Sequence, residues 1–219
     1  MTVRILCDFD GTVTTQDNII ALMQAFAPAD AFEPLKRGVL DRTLSIQSGV
    51  GQMFALLPSD GKTAYLDFLL ERAIIRDGFS ELLQYSRRQG IDFSIVSGGM
   101  DFFVEPILAP FLEQEQIYCN VADFSGPFVH IDWPNACDAH CTNGCGCCKT
   151  SVARTLRKDG DVIIVIGDSV TDFELAKQAD RVYARDYLIT LCEENDIAYT
   201  PFETFHDIVD DLARAEVTT

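Results

Sequence analysis

Short, almost uninterrupted apolar runs that alternate with helix-like segments most constrain the fold of this chain. The apolar runs cover residues 5–7, 93–96, 162–166 and 181–184, and helical patterns cover residues 79–89, 102–112, 151–158 and 173–179. Strands without polar alternation are typical of parallel sheets that are covered on both faces. Strands that alternate with helices favour such a sheet. The sequence therefore predicts an α/β fold with a Rossmann-like parallel-sheet core.

Two segments interrupt this alternation. Residues 16–76 contain helix-like stretches at 18–26, 43–57 and 63–70, punctuated by Pro28, Pro34, Gly38 and Pro58. We interpret this segment as an inserted small helical cap, and residues 1–15 plus 77–219 as the core. The second interruption, residues 117–133, has two β-like runs around Ser125-Gly126-Pro127, which predicts a β-hairpin. A cysteine-rich loop follows it.

The charge balance excludes several classes of partner. Lys and Arg number 17 against 34 Asp and Glu, giving a net charge of −17. Such a surface repels nucleic acid and anionic membranes, so neither is an expected partner.

No apolar run approaches the roughly 20 residues of a membrane span, and the N-terminus does not resemble a signal peptide. We expect a cytoplasmic enzyme, whose oligomeric state the sequence does not specify. A phosphorylated substrate would need a local source of positive charge.

The first apolar run ends in Asp8-Phe9-Asp10-Gly11-Thr12. Two carboxylates two residues apart at a strand end point the same way, because side chains alternate between the faces of a strand. Like charges this close need a cation or a shared proton. The pair therefore suggests a hard metal ion beside a carboxylate nucleophile. The Thr12 hydroxyl is a candidate oxyanion ligand.

Polar residues also follow two other predicted strands. In open parallel sheets, ligands bind beyond the C-terminal strand ends. Ser97-Gly98-Gly99 follows the second run and offers a hydroxyl and backbone N–H groups, a candidate phosphate cradle. Gly167-Asp168 and Asp172 follow the run at 162–166, and Lys149 stands at the start of a helix.

Taken in this order, the motifs resemble those of the haloacid dehalogenase superfamily of phosphotransferases. The matching residues are Asp8-x-Asp10-x-Thr12, Ser97, Lys149 and Gly167-Asp168-x-x-x-Asp172. The position of the helical insertion resembles the branch with a C1 cap, to which phosphoserine phosphatases belong. A phosphomonoesterase acting through an aspartyl-phosphate is what this resemblance implies.

The resemblance also implies a role for each residue. Asp8 is the expected nucleophile, and Asp10 the expected general acid and base. Mg²⁺ is the expected cofactor, held by Asp8, the Asp10 carbonyl and Asp168, with Asp172 bound directly or through water. The expected ligands of the phosphoryl group are Thr12, Ser97, Gly98, Gly99 and Lys149. Lys149 and Mg²⁺ would supply the local positive charge.

A closer likeness within the superfamily concerns the substrate. Residues 97–103, 130–134 and 145–149 resemble the 2-hydroxy-3-keto-5-methylthiopentenyl-1-phosphate phosphatases of methionine salvage. The implied substrate is a small phosphorylated metabolite, the enol phosphate of that family. Phosphoserine, phosphoethanolamine or a phosphosugar is the alternative. A metal or redox sensor with a vestigial site is an alternative of another class. Met53, Phe54 and Leu57 could line an apolar substrate pocket, although cap core is the favoured interpretation.

Five of the eight cysteines lie just before Lys149: Cys137, Cys141, Cys145, Cys147 and Cys148. Thiolates at short spacing suggest a structural Zn²⁺. The pattern nevertheless lacks the two paired C-x2-C knuckles of familiar zinc sites. A zinc site, one or two disulfides, and reduced thiols packed in a loop all remain open. Each of them would fix the position at which Lys149 enters the site.

Overall fold

A seven-stranded sheet forms the centre of the structure, a computed structural model that describes residues 2–113 and 116–217. The strands are β1 (Val3–Cys7), β2 (Asp92–Met100), β3 (Ile117–Asp123), β4 (His130–Asp132), β5 (Val162–Gly167), β6 (Arg181–Ala184) and β7 (Thr200–Pro201). Their order across the sheet is β4-β3-β2-β1-β5-β6-β7. Neighbouring strands are parallel except β3 and β4, which form an antiparallel pair. The predicted α/β fold with a parallel sheet is confirmed.

Helices precede or follow most of the strands. The first four form the insertion that follows β1: α1 (Asn18–Phe26), α2 (Ala29–Leu40), α3 (Ile46–Phe54) and α4 (Lys62–Arg72), with a 3₁₀ turn at Ser59–Gly61. The others are α5 (Phe79–Gln89), α6 (Asp101–Leu108), α7 (Lys149–Leu156), α8 (Val170–Ala176), α9 (Asp186–Glu194) and α10 (Phe205–Val217). No helix in the described part of the chain is both long and apolar enough to cross a membrane.

The central strands are buried on both faces because successive side chains enter different hydrophobic clusters. Ile5 and Cys7 of β1 belong to one cluster, and Leu6 between them belongs to another. In β5, Ile164 joins the first cluster and Val165 the second. This burial explains why the strands read as continuous apolar runs. The polar residues Asp8 and Asp168 come only after the C-terminal ends of these strands.

The chain leaves β1 and returns from the four-helix insertion at neighbouring points. Thr14 forms an isolated antiparallel bridge with Ile75. The amide of Thr15 donates to Ile74 O at 2.9 Å, and that of Arg76 donates to Val13 O at 2.8 Å. These bonds close the insertion at its base, next to the end of β1. The division into a cap over residues 16–76 and a core over the remainder stays a prediction. Residues 1, 114–115 and 218–219, which the predicted core includes, lie outside the described residues.

The structure differs from the expected elements in three regions. Helix α2 was not predicted, because Pro34 and Gly38 look like breaks, yet Pro34 lies inside the helix and Phe32 anchors it in the core. The short strand β7 and the C-terminal helices α9 and α10 were also absent from the prediction. Residues 97–99 do not follow β2 but lie inside it, where the register with β3 shifts between Val96 and Met100. The predicted hairpin of β3 and β4 is present.

Candidate active site

The C-terminal ends of the neighbouring strands β1 and β5 bring three carboxylates together. Asp8 directly follows β1, Asp168 directly follows β5, and Asp172 lies in the first turn of α8. One oxygen from each lies within 4.8 Å of the other two. Asp8 and Asp172 are buried. The site therefore concentrates negative charge at the sheet edge where ligands bind in open parallel sheets.

Lys149 provides a cation inside this acidic group. It is the first residue of α7, and its Nζ lies 2.6 Å from Asp8 Oδ1 and 2.5 Å from Asp172 Oδ1. Burial lowers the pKa of the ammonium, but Asp172 and Asp8 outweigh this effect and hold the pKa above its usual range. Lys149 is therefore charged, and it fixes the carboxylate of Asp8.

One ammonium does not neutralise three carboxylates. Burial, then the charges of Asp8 and Asp172, raise the pKa of Asp168 to about 9. Burial, then Asp8, raise the pKa of Asp172 to about 6 despite the contact with Lys149. A divalent cation among these oxygens would reverse the shifts, because a nearby positive charge favours the ionised form. This donor set fits a hard metal ion, which prefers oxygen ligands.

Asp10 faces the base of the insertion rather than Lys149. Its Oδ1 accepts hydrogen bonds from the backbone N–H and the side-chain Nδ2 of Asn18, at 2.9 and 2.7 Å. Asn18 is buried at the start of α1, so the insertion itself orients this carboxyl group. Burial, then the charge of Asp17, raise the pKa of Asp10 well above its usual range. The two aspartates of the motif thus have different environments.

A cradle for an anion lies at the end of β2. Ser97 is fully buried, and its Oγ accepts a hydrogen bond from the Gly99 N–H at 2.8 Å. The Gly98 carbonyl accepts from Asn120 Nδ2 at 2.8 Å, which holds this backbone against β3. A Cβ added at Gly98 would meet no atom within 4 Å. Apart from its chain neighbours, the space at that position of the Gly98 backbone is therefore open.

Two glycines allow the loops of the site to approach one another. Gly11 has φ +80°, and a Cβ there would lie 2.3 Å from Asp168 Oδ2. A Cβ on Gly167 would lie 2.3 Å from Asp172 Cγ. Thr12, predicted as a substrate ligand, is fully buried, and its hydroxyl donates to Asp168 Oδ1 at 3.2 Å. In this structure the Thr12 hydroxyl orients a carboxylate that is a candidate metal ligand.

Arg76 contributes to the site although its sequence context gave no indication of this. Its Nη2 and Nε donate to the carbonyls of Gly11 and Thr12, both at 2.7 Å. It stands at the end of the four-helix insertion and thus clamps the loop that carries Asp8 and Asp10. Asn18 and Asn120 are further contributors that were missed. Hydrogen bonds to backbone carbonyls have no sequence signature. The Asp-x-Asp motif is therefore the feature of the sequence that could have prompted a search for residues that hold its loop in place.

The predicted cysteine loop lies next to Lys149 but outside the carboxylate group. The sulfur atoms of Cys137, Cys141, Cys145 and Cys148 lie within 4.8 Å of one another. Cys147 is not in this group, and its Sγ lies 3.6 Å from the carbonyl oxygen of Tyr118. Within the described residues there are thus two separate clusters of candidate metal ligands, one of oxygen and one of sulfur.

Comparison with known proteins agrees with this geometry. The family model of the haloacid dehalogenase-like hydrolases matches residues 5–177, which include every carboxylate described above, Ser97 and Lys149. The chain belongs to the haloacid dehalogenase-like hydrolase family. A protein of Exiguobacterium sibiricum named 2-hydroxy-3-keto-5-methylthiopentenyl-1-phosphate phosphatase is 70% identical to this hydrolase over 217 residues, 99% of each chain. A protein of the same name from Bacillus thuringiensis subsp. konkukian is 52% identical over 212 residues, 97% of this chain and 96% of that one.

Solved structures show the same fold. A phosphoserine phosphohydrolase-like protein from Francisella tularensis superposes on this hydrolase with a TM-score of 0.70, 20% identity and coverage of 96% of this chain and 99% of that one. A phosphoserine phosphatase described as a phospho-aspartyl intermediate analogue also gives 0.70, at 16% identity and with coverage of 95% and 98%. At these identities the likeness establishes the fold alone. The match to the family model confirms the predicted resemblance to the superfamily.

Proposed function

We propose that this hydrolase is a phosphomonoesterase in which Asp8 attacks the phosphorus atom of a small phosphorylated metabolite. The observation that carries the proposal is the position of Asp8, whose Oδ1 lies 2.6 Å from Lys149 Nζ at the end of β1. Asp168 and Asp172 lie beside Asp8, and the anion cradle lies in the neighbouring strand β2. A buried, held carboxylate beside a cation suits nucleophilic attack on a phosphoryl group, because the cation offsets the charge that gathers during transfer.

Mg²⁺ is the cofactor that we propose for the carboxylate group. Asp8, the Asp10 carbonyl and Asp168 would hold it. Asp172 accepts from Lys149 with one oxygen and from the N–H groups of Asp168 and Ser169, both at 3.2 Å, with the other. These hydrogen bonds favour a water-mediated role for Asp172. When bound, Mg²⁺ supplies positive charge to the phosphoryl oxygens and to the three carboxylates.

The reaction is divided between Asp8 and Asp10. A carboxylate oxygen of Asp8 forms a bond to phosphorus while the bond from phosphorus to the ester oxygen breaks. The leaving oxygen takes a proton from Asp10, whose raised pKa favours the protonated form needed for this step. Asp10 then accepts a proton from the water molecule that hydrolyses the aspartyl-phosphate. The products are the alcohol or enol, inorganic phosphate and the original enzyme.

The residues around the nucleophile hold the transferred group. Lys149 pairs with Asp8 and is placed to share the charge of the phosphoryl oxygens. The Ser97 hydroxyl accepts from Gly99, which leaves its hydrogen for a phosphoryl oxygen. Gly98 is the expected donor of a backbone N–H, and a Cβ added to it would meet no atom beyond its chain neighbours within 4 Å. Fixed donors of this kind stabilise the charge of a transition state with little reorganisation.

For the substrate we propose 2-hydroxy-3-keto-5-methylthiopentenyl-1-phosphate. Hydrolysis would release phosphate and the acireductone 1,2-dihydroxy-3-keto-5-methylthiopentene, the step of methionine salvage implied by the sequence resemblance. The support is 70% identity over nearly the whole length to a protein that carries the name of this activity. Met53, Phe54 and Leu57 are buried in the hydrophobic core, so the apolar pocket for the methylthio group must be sought elsewhere.

A panel of substrates tests this proposal. Phosphate release is measured with Mg²⁺ for the methylthiopentenyl enol phosphate, phosphoserine, phosphoethanolamine and a phosphosugar. We expect kcat/KM for the enol phosphate to exceed the others by at least about 100-fold, equivalent to about 2.7 kcal/mol of differential transition-state binding. Equal kcat/KM for phosphoserine would contradict the substrate assignment. Absence of hydrolysis of every compound would contradict the phosphatase assignment.

A further inference from the structure

Four cysteine sulfurs converge in the loop that leads from β4 to α7. They belong to Cys137, Cys141, Cys145 and Cys148, and all lie within 4.8 Å of one another. The first three are half-buried and Cys148 is buried. The catalytic steps above use none of them. Four soft ligands in one small volume, outside the site of the reaction, need a separate explanation.

The spacing of the sulfurs fits one central metal ion. Four sulfurs at about 2.3 Å from a zinc ion occupy the corners of a tetrahedron and lie about 3.8 Å apart. The Sγ atoms of Cys141 and Cys145 are 3.8 Å apart. A disulfide would bring two sulfurs to about 2.05 Å, and all eight cysteines are free thiols in the structure. An iron–sulfur cluster places several atoms between its ligands and needs a wider cage than this.

The backbone of the loop directs these four side chains inward. Gly144 and Gly146 adopt positive φ angles of 63° and 77°, which turn the chain tightly on either side of Cys145. The Cys145 amide donates to Cys137 Sγ at 3.4 Å, so one ligand residue supports another. Cys145 and Cys148 form a C-x2-C pair, and Cys147 between them lies outside the group. The turns thus select four of the five clustered cysteines.

We propose that Cys137, Cys141, Cys145 and Cys148 bind one structural Zn²⁺ as four thiolates. Soft thiolate ligands in a tetrahedral arrangement are typical of structural zinc sites, which have no open position for a substrate. The thiol protons leave to solvent when the metal binds. The proposal concerns a site distinct from the carboxylate group and does not depend on which phosphate ester the enzyme hydrolyses.

The zinc ion would connect three parts of the molecule. Cys148 is the N-cap residue of α7, immediately before Lys149, and its amide donates to Asn135 O at 2.7 Å. On the other side of the loop, the Gly144 carbonyl accepts from the Gln47 amide at 2.9 Å, at the start of α3. Gly146 packs on the indole ring of Trp133, where an added Cβ would lie 2.8 Å from Cζ3. A closed metal site here would hold the insertion, the hairpin end and the start of α7 together.

The metal content of the full-length protein tests the proposal. The protein is purified without chelators, and metals are counted by mass spectrometry. X-ray absorption at the zinc edge then gives the ligands. We expect about one zinc per chain with four sulfur neighbours at about 2.3 Å. Cys141→Ser should reduce the zinc content to near zero, whereas the matched variant Cys147→Ser in the same loop should keep it.

Several outcomes would overturn the proposal. One is metal-free protein in which all four thiols can be alkylated without denaturant, and another is a disulfide between any two of the four cysteines. Iron in place of zinc, or zinc with oxygen or nitrogen ligands, would also overturn it. Loss of zinc from Cys147→Ser but not from Cys141→Ser would also contradict it. If Cys141→Ser does not fold, the absorption spectrum of the unmodified protein still decides the matter. A protein that binds zinc with four sulfurs but hydrolyses no phosphate ester would leave the metal site standing and refute the proposed function alone.

Discussion

The carboxylate group and the cysteine group both concentrate potential negative charge, but their surroundings balance it differently. Each gathers groups that become anions into a volume a few ångströms wide, and the two are joined through Cys148 and Lys149, which are adjacent in the chain. The carboxylate group includes its own cation, because Lys149 contacts both Asp8 and Asp172. By contrast, the Arg154 guanidinium near the cysteine group is paired with Asp138 rather than with a cysteine. Its Nη2 and Nε donate to the two carboxylate oxygens of Asp138 at 2.6 and 2.7 Å.

This difference corresponds to two kinds of metal site. Hard oxygen ligands with an adjacent anion cradle can hold a metal ion and admit a substrate, so the metal there is expected to exchange. Four soft sulfurs that surround one point leave no room for a substrate, so the metal there is expected to stay. The ligand atoms and the room left for a substrate, rather than charge alone, separate a catalytic role from a structural one.

The largest expected effect is on the nucleophile. Asp8→Asn keeps the shape of the side chain but removes the attacking charge, and we expect kcat for the preferred substrate to fall by about 10⁴-fold or more. Asp92→Asn is the matched control, since Asp92 is exposed and pairs only with Arg4 in the contacts described. Phosphate release measures both variants, and circular dichroism checks their folding. Residual activity of Asp8→Asn above about 10% would argue against Asp8 as the nucleophile.

Chelation should separate the two metal sites. Brief dialysis against EDTA is expected to remove the metal at the carboxylates and abolish turnover, and addition of Mg²⁺ alone should restore it. The zinc content of the same samples should remain near one per chain, because a closed thiolate site releases its ion slowly. Activity that returns only when zinc is added would contradict the assignment of Mg²⁺ to the catalytic carboxylates.

Removal of the internal cation should have the next largest effect. Lys149→Ala leaves Asp8 and Asp172 without their ammonium partner, and we expect kcat to decrease by about 10²- to 10³-fold, as for loss of one charge-stabilising donor. The control Lys177→Ala removes an exposed lysine that pairs with Glu174 at 2.7 Å. It should leave kcat within about twofold, because exposed ion pairs contribute little. Steady-state kinetics distinguishes the two, and equal kcat for both variants would contradict a role for Lys149.

The smallest expected effect is on stability at the cysteine loop. Cys141→Ser should lower Tm by about 5–10 °C, which corresponds to about 3 kcal/mol for a chain of this size. The expected decrease for Cys147→Ser is smaller, because its hydroxyl can replace the contact of Cys147 with the Tyr118 carbonyl. Differential scanning calorimetry at fixed zinc concentration measures both. An unchanged Tm for Cys141→Ser would show that the loop needs no metal to hold its position.

Much of the carboxylate site could be predicted from the sequence because each of its residues follows an apolar run or begins a helix. A parallel sheet brings the ends of β1, β2 and β5 to one edge, so Asp8, Ser97 and Asp168 meet there irrespective of the loops between them. Helix α1 and strand β6 were likewise predicted with the bounds observed, because their apolar spacing is undisturbed by proline or glycine.

The features that escaped prediction depend on contacts without a local pattern. Arg76 binds backbone carbonyls, and any arginine near the base of the insertion could have done so. Cys148 rather than Cys147 joins the other three sulfurs, and this depends on the path of the backbone through a loop in which Gly144 and Gly146 have positive φ angles. Helix α2 was hidden because Pro34 falls within it, and a proline in a sequence usually indicates the end of a helix.

The central claim, that Asp8 carries the phosphoryl group during turnover, is tested most directly by trapping that group. The enzyme is mixed with Mg²⁺ and substrate, quenched in acid and treated with borohydride, which reduces an acyl phosphate to the alcohol. Peptide mass spectrometry then locates the modified residue. We expect homoserine in place of aspartate at position 8 only when substrate was present. Modification of another residue would contradict the assignment of Asp8 as the nucleophile. The same holds if Asp8 stays unmodified although turnover is rapid and the quench captures other acyl phosphates.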